Sequence, residues 1–304
     1  YEQYSFDVTN ILPTASLGSN YIIQTYEGYS EFSIIATENN TTVNINLSEN
    51  SNNANDTITV ILNTGQCYQV QSGEGIDFSG TTITSEDNKK IAVFAGNKNA
   101  RVPVSSGETD LLSEQMVPTS YWGNSFVVTN SLTRTSDKVK VTAQNDNCHV
   151  RKNGMLVKTL NARESYEFEI TNSAPAVYLE TTEPSCVFLY LTGSDYGREN
   201  GDPSMLIINP TEQQIKHATF SSLNTEVTPL YHYVNISTET DNIANIKLDN
   251  NSISSTQFSE VAANPDYSYA RVGIAPGDHT LISEGEKGFI AQAYGLGDNE
   301  SYSY

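Results

Sequence analysis

The chain has 304 residues, 36 of them acidic against 16 basic, a formal net charge of -20 and a pI near 4.4. A field of that sign repels phosphate backbones and anionic headgroups, which excludes nucleic acid and anionic membrane surfaces as partners. No run of about eighteen apolar residues exists for membrane insertion, and Thr, Ser, Asn and Tyr outweigh the good helix formers, so the expected class is all-β. Starting at Tyr1 without a charged-then-apolar leader, the chain reads as a mature or excised segment.

In chain order, "LPTASLGSNYIIQT" (12–25) is followed by "EFSIIATENNTTVNI" (31–45), an alternating strand, an Asn-rich turn and a second alternating strand. That is a hairpin pattern. "GQCYQV" (65–70) is another alternating strand carrying Tyr68, and "TTITSEDNKKIAVFAG" (81–96) ends on a nearly continuous apolar run closed by Gly96. A run with little alternation must be covered on both faces, which makes it a core strand.

The same phrases then return. "VPTSYWGNSFVVTN" (117–130) lies on 12–25 with a constant shift of 105, Pro118 on Pro13, Gly123 on Gly18 and Phe126 on Tyr21. "KVKVTAQNDNCHVRKNG" (138–154), "RESYEFEI" (163–170) with Tyr166, and "AVYLETTEPSCVFLYLTG" (176–193) follow. A third copy begins at "TEQQIKHATFSS" (211–222), set at a shift of 98 so that Glu212 and Gln213 fall on Glu114 and Gln115 and Phe220 on Trp122. It continues through "YVNISTETDNIANIKLDN" (233–250), "DYSYARVGI" (266–274) with Tyr269, and "DHTLISEGEKGFIAQAYG" (278–295). The closing runs place Phe94, Leu189 and Ala291 at one strand position.

Units of about a hundred residues with six to eight short strands fit a β-sandwich. The expectation is three tandem β-sandwich-like repeats, residues 1–105, 106–210 and 211–304, in one compact, approximately threefold body. No flexible linker separates them. A six-bladed β-propeller is the alternative, but the units show no inner repeat of blade length, about 40 to 50 residues. Trp122, the only tryptophan, stands beside Pro118 and Gly123 and is expected to pack between units.

The sequence assigns no catalytic, cofactor-binding or metal-binding residue. Cys67, Cys148 and Cys186 lack zinc-site spacing; Cys148 and Cys186 are a candidate disulfide, leaving Cys67 a free buried thiol. "GSDYG" (193–197) lacks nucleophile-elbow spacing and reads as a turn. His149, His217, His232 and His279 are far apart and expected at the surface. Asp195, Glu199, Asn200 and Asp202 offer oxygen ligands to calcium, but without EF-hand alternation and with Arg198 among them, so a polar loop is the default. Sequons at Asn39, Asn40, Asn46, Asn55, Asn235, Asn250 and Asn299 are near the number that Asn, Ser and Thr abundance produces. An internal Lys-to-Asn isopeptide needs a Lys, an Asn and a carboxylate buried together; Lys90 and Lys140 are candidate strand lysines, with surface lysine the plainer reading. Tyr21, Tyr68, Tyr166 and Tyr190 lie in alternating strands, where packing accounts for them. "ESYSY" ends the chain as a strand or the start of a linker.

Four stretches together, "EQMVPTSYWGNSFVV", "GTTITSEDNKKIAVFAGN", "GDPSMLIINPTEQ" and "GFIAQAYGLGDNESYSY", resemble the IgGFc-binding protein N-terminal domain family from about Leu12 to Tyr304. The resemblance implies an extracellular, non-enzymatic module of mucus-associated animal proteins and large surface proteins of other organisms. The family is named for antibody binding by one member. Animal mucus members are cysteine-rich, and three cysteines set this chain apart from them. The expected function is an extracellular binding or adhesion module of a larger secreted or cell-surface protein, recognising a protein or glycan through its loops. A structural spacer is the alternative; a carbohydrate-active enzyme, which needs two carboxylates across a cleft, comes third.

Overall fold

The computed structural model describes residues 7–48, 57–197, 200–223, 230–298 and 300–304. Alternating Val, Ile and Thr segments form the strands, and the helical elements among the described residues are short 3-10 turns. The first part holds β1 (Asn20–Ile22), β2 (Gly28–Ala36), β3 (Thr41–Asn46), β4 (Thr57–Leu62), β5 (Cys67–Gln71), β6 (Thr82–Ser85), β7 (Ile91–Ala100) and β8 (Asp110–Gln115). They make two antiparallel sheets, ordered β1-β6-β3-β4 and β5-β2-β7-β8. The period of two sends Phe32 and Ile34 from one sheet, and Val43, Ile45 and Ile83 from the other, into a shared core.

The second part holds β9 (Gly123–Thr129), β10 (Ser136–Ala143), β11 (Cys148–Lys152), β12 (Met155–Leu160), β13 (Ser165–Thr171), β14 (Ala176–Leu191) and β15 (Ser204–Ile208). Its 16-residue β14 serves both sheets. The first half pairs with β9 and β11, the second half with β10 and β15. Read along each half, the orders are β9-β14-β11-β12 and β13-β10-β14-β15, matching the first part strand for strand. Where β6 and β7 are separated by a turn with Asp87 and Asn88 in left-handed conformation, β14 runs on unbroken.

The third part holds β16 (His217–Ser222), β17 (Tyr231–Glu239), β18 (Ile246–Leu248), β19 (Asn251–Ser252), β20 (Ser259–Val261), β21 (Asn264–Ile274), β22 (Gly277–Ser283), β23 (Phe289–Gly297) and β24 (Glu300–Ser303). Its orders, β16-β22-β18-β19 and β20-β21-β17-β23-β24, repeat the pattern with one added edge strand, β20, paired to the outer side of β21. The body is all-β and sandwich-like, with no propeller closure. Strand β8, beyond the expected division at residue 105, pairs with β7 and completes the first sheet pair.

Two registers differ from the sequence reading. Pro13, Pro118 and Pro210 each precede a 3-10 turn, at Thr14–Ser16, Thr119–Tyr121 and Thr211–Gln213. Gly18, Gly123 and Ile215 then bridge to Ile91, Ser185 and Phe289. The third copy therefore sits at a shift of 92, Pro210 on Pro118; the Glu-Gln match was fortuitous, because the Pro-Thr turn is what geometry repeats. Those bridges align Ile91 with Ser185 and Phe289, so Val93, Val187 and Ala291 are the equivalent residues facing their own cores, and Phe94, Leu189 and Ala291 do not share one strand position.

The proline turns also join the parts. Pro118 Cβ stands 2.7 Å from where a Cβ on Gly18 would be, and Pro210 occupies the corresponding space at Gly123. Trp122 is buried in the first part's core, as expected of an inter-unit residue. Gly18→Ala and Gly123→Ala should each lower unfolding free energy by about 1 to 3 kcal/mol through overpacking. Gly73→Ala, whose methyl meets no atom within 4 Å, should change it little; urea denaturation of the three variants is the check.

Candidate functional site

The segment following β1, Gln24 to Tyr26, is buried and forms the floor of the junction with the second part. Alternation along β10 turns Val139 and Val141 into their own core and leaves Lys140 on the other face. Lys140 Nζ donates to Thr25 O and to Asp77 Oδ2, each at 2.8 Å. Asp77 Oδ1 accepts from Thr25 Oγ1 at 2.8 Å and from the Ser79 amide at 2.9 Å. The ammonium also lies 5.2 Å from the Tyr26 ring and 5.6 Å from the Tyr190 ring, a favourable cation–π placement. Tyr190 donates its hydroxyl to the same Thr25 carbonyl at 2.9 Å.

The pair is 5% and 22% exposed at Lys140 and Asp77. Burial alone would raise the Asp77 carboxyl; the Lys140 charge, its hydrogen bond and those from Ser79 hold it below the ordinary range. Beside this pair opens a cleft of about 820 Å³ between the first and second parts, lined by Tyr26, Glu27, Asp77, Lys158, Arg163 and Glu167 among others. Arg163 adopts φ 73°, its carbonyl packs against Gly80, and its Nε donates to Gly80 O at 2.7 Å. Tyr26 donates to Glu167 Oε1 at 3.2 Å; burial first, then Glu167, pushes the Tyr26 hydroxyl far up. Glu27, Lys158, Glu164 and Glu167 are exposed, so charges of both signs rim a cleft whose floor is fixed.

Several singled-out residues lie elsewhere. Lys90 donates to Thr14 O and Ala15 O at the surface, and Lys140 is a fully bonded ammonium facing Asp77 rather than an asparagine. Cys148 and Cys186 are unpaired: Cys148 points into the second core and Cys186, on the opposite side of its sheet, into the first. Cys67 is exposed rather than buried, because β5 is a sheet edge. His149 and His217 are exposed as expected, but His232 and His279 are buried. Asp195 accepts from the Gly107 amide at 2.7 Å, Asn200 donates to Asp298 at 3.1 Å, and burial, then Glu108 and Glu300, raises Asp202 to about 7. No group of three metal-ligating side chains forms among the described residues; Arg198, Glu199, Asn55 and Asn299 lie outside them. Asn39, Asn40 and Asn250 are exposed, whereas Asn235 is buried and donates to Thr129 O at 3.3 Å.

Sequence reasoning missed one constellation. His279 Nδ1 lies 2.7 Å from Asp249 Oδ2, and its Nε2 lies 3.5 Å from Ser222 Oγ. Nε2 also meets Ala275 O at 2.7 Å. Ser222 Oγ donates to Ala275 O at 2.8 Å and accepts from the Gly277 amide at 2.8 Å, so its proton is directed at a backbone carbonyl rather than at the imidazole. The three side chains instead staple the turn between β21 and β22. Separations of 57 and 30 residues leave no local signal for them. The Lys140–Asp77 pair, 63 residues apart, is invisible for the same reason.

A family model described as IgGFc binding protein matches residues 7–295. A human protein named IgGFc-binding protein is 24% identical over 98% of this chain, which spans 6% of that relative's length. Among solved structures, an anti-sigma factor domain-containing protein from Clostridium clariflavum aligns over 92% of this chain and 78% of its own, at 9% identity and a TM-score of 0.15, too low to bear on the fold.

Lys140→Met should destabilise the protein by about 3 to 5 kcal/mol, because Asp77 is left buried without its partner. Replacing both, with Lys140→Met and Asp77→Leu, should cost less. Asp77 binds its proton more weakly folded than unfolded. Its contribution is therefore complete above the unfolded carboxylate pKa of about 3.9 and is lost as pH falls through the lower folded value. The difference between wild type and Asp77→Asn in urea denaturation should accordingly be large at neutral pH and shrink in acid.

Proposed function

The chain belongs to the IgGFc binding protein family, and we propose that it is a non-enzymatic binding module, part of a larger secreted or cell-surface protein. Its ligand in this reading is an extracellular protein, held at the cleft between the first and second parts. The observation that carries the reading is the combination at that cleft of a buried, hydrogen-bonded floor and an exposed rim of mixed charge. A fixed floor lowers the ordering cost of binding, and a mixed-sign rim gives orientation and partner choice more than raw affinity. Strong net negative charge favours ligands that present basic groups toward Glu27, Glu164 and Glu167. The human relative's name specifies immunoglobulin Fc, which makes Fc the first probe.

The test is capture of proteins from extracellular fluid, with Fc alongside, on immobilised module, compared with Lys158→Glu and Glu164→Lys variants. Both positions are exposed, so thermal stability should hold while affinity falls about tenfold, near 1.4 kcal/mol. Equal capture by wild type and both variants would remove the cleft from the proposal. Absence of any saturable ligand would favour the spacer reading.

A further inference from the structure

The three sandwiches fill one internal position differently. Tyr21 on β1 pairs with Ile83, Phe126 on β9 with Leu179, and Ala218 on β16 with Leu281. Ile83, Leu179 and Leu281 are themselves equivalent, since the residues two places on, Ser85, Thr181 and Ser283, face Val43, Val150 and Ile246. Tyr21 and Phe126 are each 1% exposed and close their sandwiches. In the third, alanine stands where an aromatic ring would be.

A groove of about 360 Å³ opens at that place, lined by Ile215, Ala218, Phe220, Phe289, Ala291 and Tyr304 among others. Among the described residues no charged side chain lines it; the polar contributors are amides and hydroxyls such as Asn10, Asn209, Gln213 and Thr219. Ile215, where the sister parts have glycine under a proline, is 49% exposed at its rim. Tyr304 is fixed across the other side, donating to Ser221 O at 2.7 Å. The groove therefore lies where the sister parts hold a ring, has Ile215, Phe220, Phe289 and Ala291 in its wall, and is uncharged among the described residues.

We propose that this groove receives an aromatic side chain from an uncharged segment of a protein ligand, restoring the contact that Tyr21 and Phe126 make within the sister sandwiches. The inference deepens the binding-module reading and rests on it. Buried aromatic anchors in preformed pockets carry much of the energy of protein interfaces, and here the fold specifies which anchor fits.

The probe is p-cresol, the tyrosine side chain, titrated into the intact chain while isoleucine methyl resonances are followed by NMR. The expected result is saturable shifts of Ile215 and Ile290, which also lines the groove, with affinity on the order of millimolar for so small a ligand. Ala218→Phe supplies the missing ring from within and should weaken binding at least about tenfold. Should that variant misfold, Ile215→Glu places a charge at an exposed rim position and should do the same. No saturable shift in wild type, or undiminished shifts in the folded variants, would overturn the proposal. So would concentration-dependent self-association abolished by Ile215→Glu, which would make a second copy the occupant. Lys158→Glu should leave the p-cresol response intact, so failure of the charged cleft and failure of this groove are read separately.

Discussion

The architecture depends on a strand buried from both sides. In the second half of β14, Val187, Leu189 and Leu191 face their own sandwich core while Cys186, Phe188 and Tyr190 enter the core of the part before it. In β23, Phe289 faces its own core, and Tyr294 and Leu296 join the core of the second part. A strand so placed cannot alternate, because either face exposed would put large apolar area in water. The parts are thus coupled by the hydrophobic effect acting through shared strands rather than by linkers.

Two-sided burial brings polar groups into the junctions, and three of them, Lys140, Asp137 and Asn235, are held by specific partners. Lys140 is met by Thr25, Asp77 and two aromatic rings. Asp137 accepts from Asn130, Ser131 and Thr192, and Asn235 reaches Thr129 and Asn130. Such pairs add little net stability over apolar packing, yet an alternative docking would strand them unpaired. Their use here is to fix one orientation between neighbours, and the charged cleft inherits that rigidity.

Much of the fold was legible because hydrophobic period and turn chemistry are local. The hairpins, the apolar closing runs and the inter-unit place of Trp122 follow from spacing alone. The third copy is out of register in the sequence because Ala218 and Ile215 replace the aromatic and glycine that mark the other two. The same two replacements open the groove, so the place where the pattern failed is the place with distinct chemistry. Burial of His232 and His279, the exposure of Cys67 and the separation of Cys148 from Cys186 depend on which sheet face or edge a residue meets. Pairing across tens of residues decides that. Tyr68 and Tyr166 pack toward their own cores, while Tyr269 turns to Val127 and Ala176 of the second part, a difference no count of alternating residues contains.

Strand β14 runs without interruption from one layer of the middle sandwich into the other, whereas the outer sandwiches break at the same place into β6 and β7, and β22 and β23. Under a pulling force, the two layers of an outer part can peel at that break. The middle part offers no such seam, because separating its layers would require pulling one continuous strand through both. Mechanical load would therefore be shed by the ends first, leaving the central sandwich as the last element of the chain to unfold.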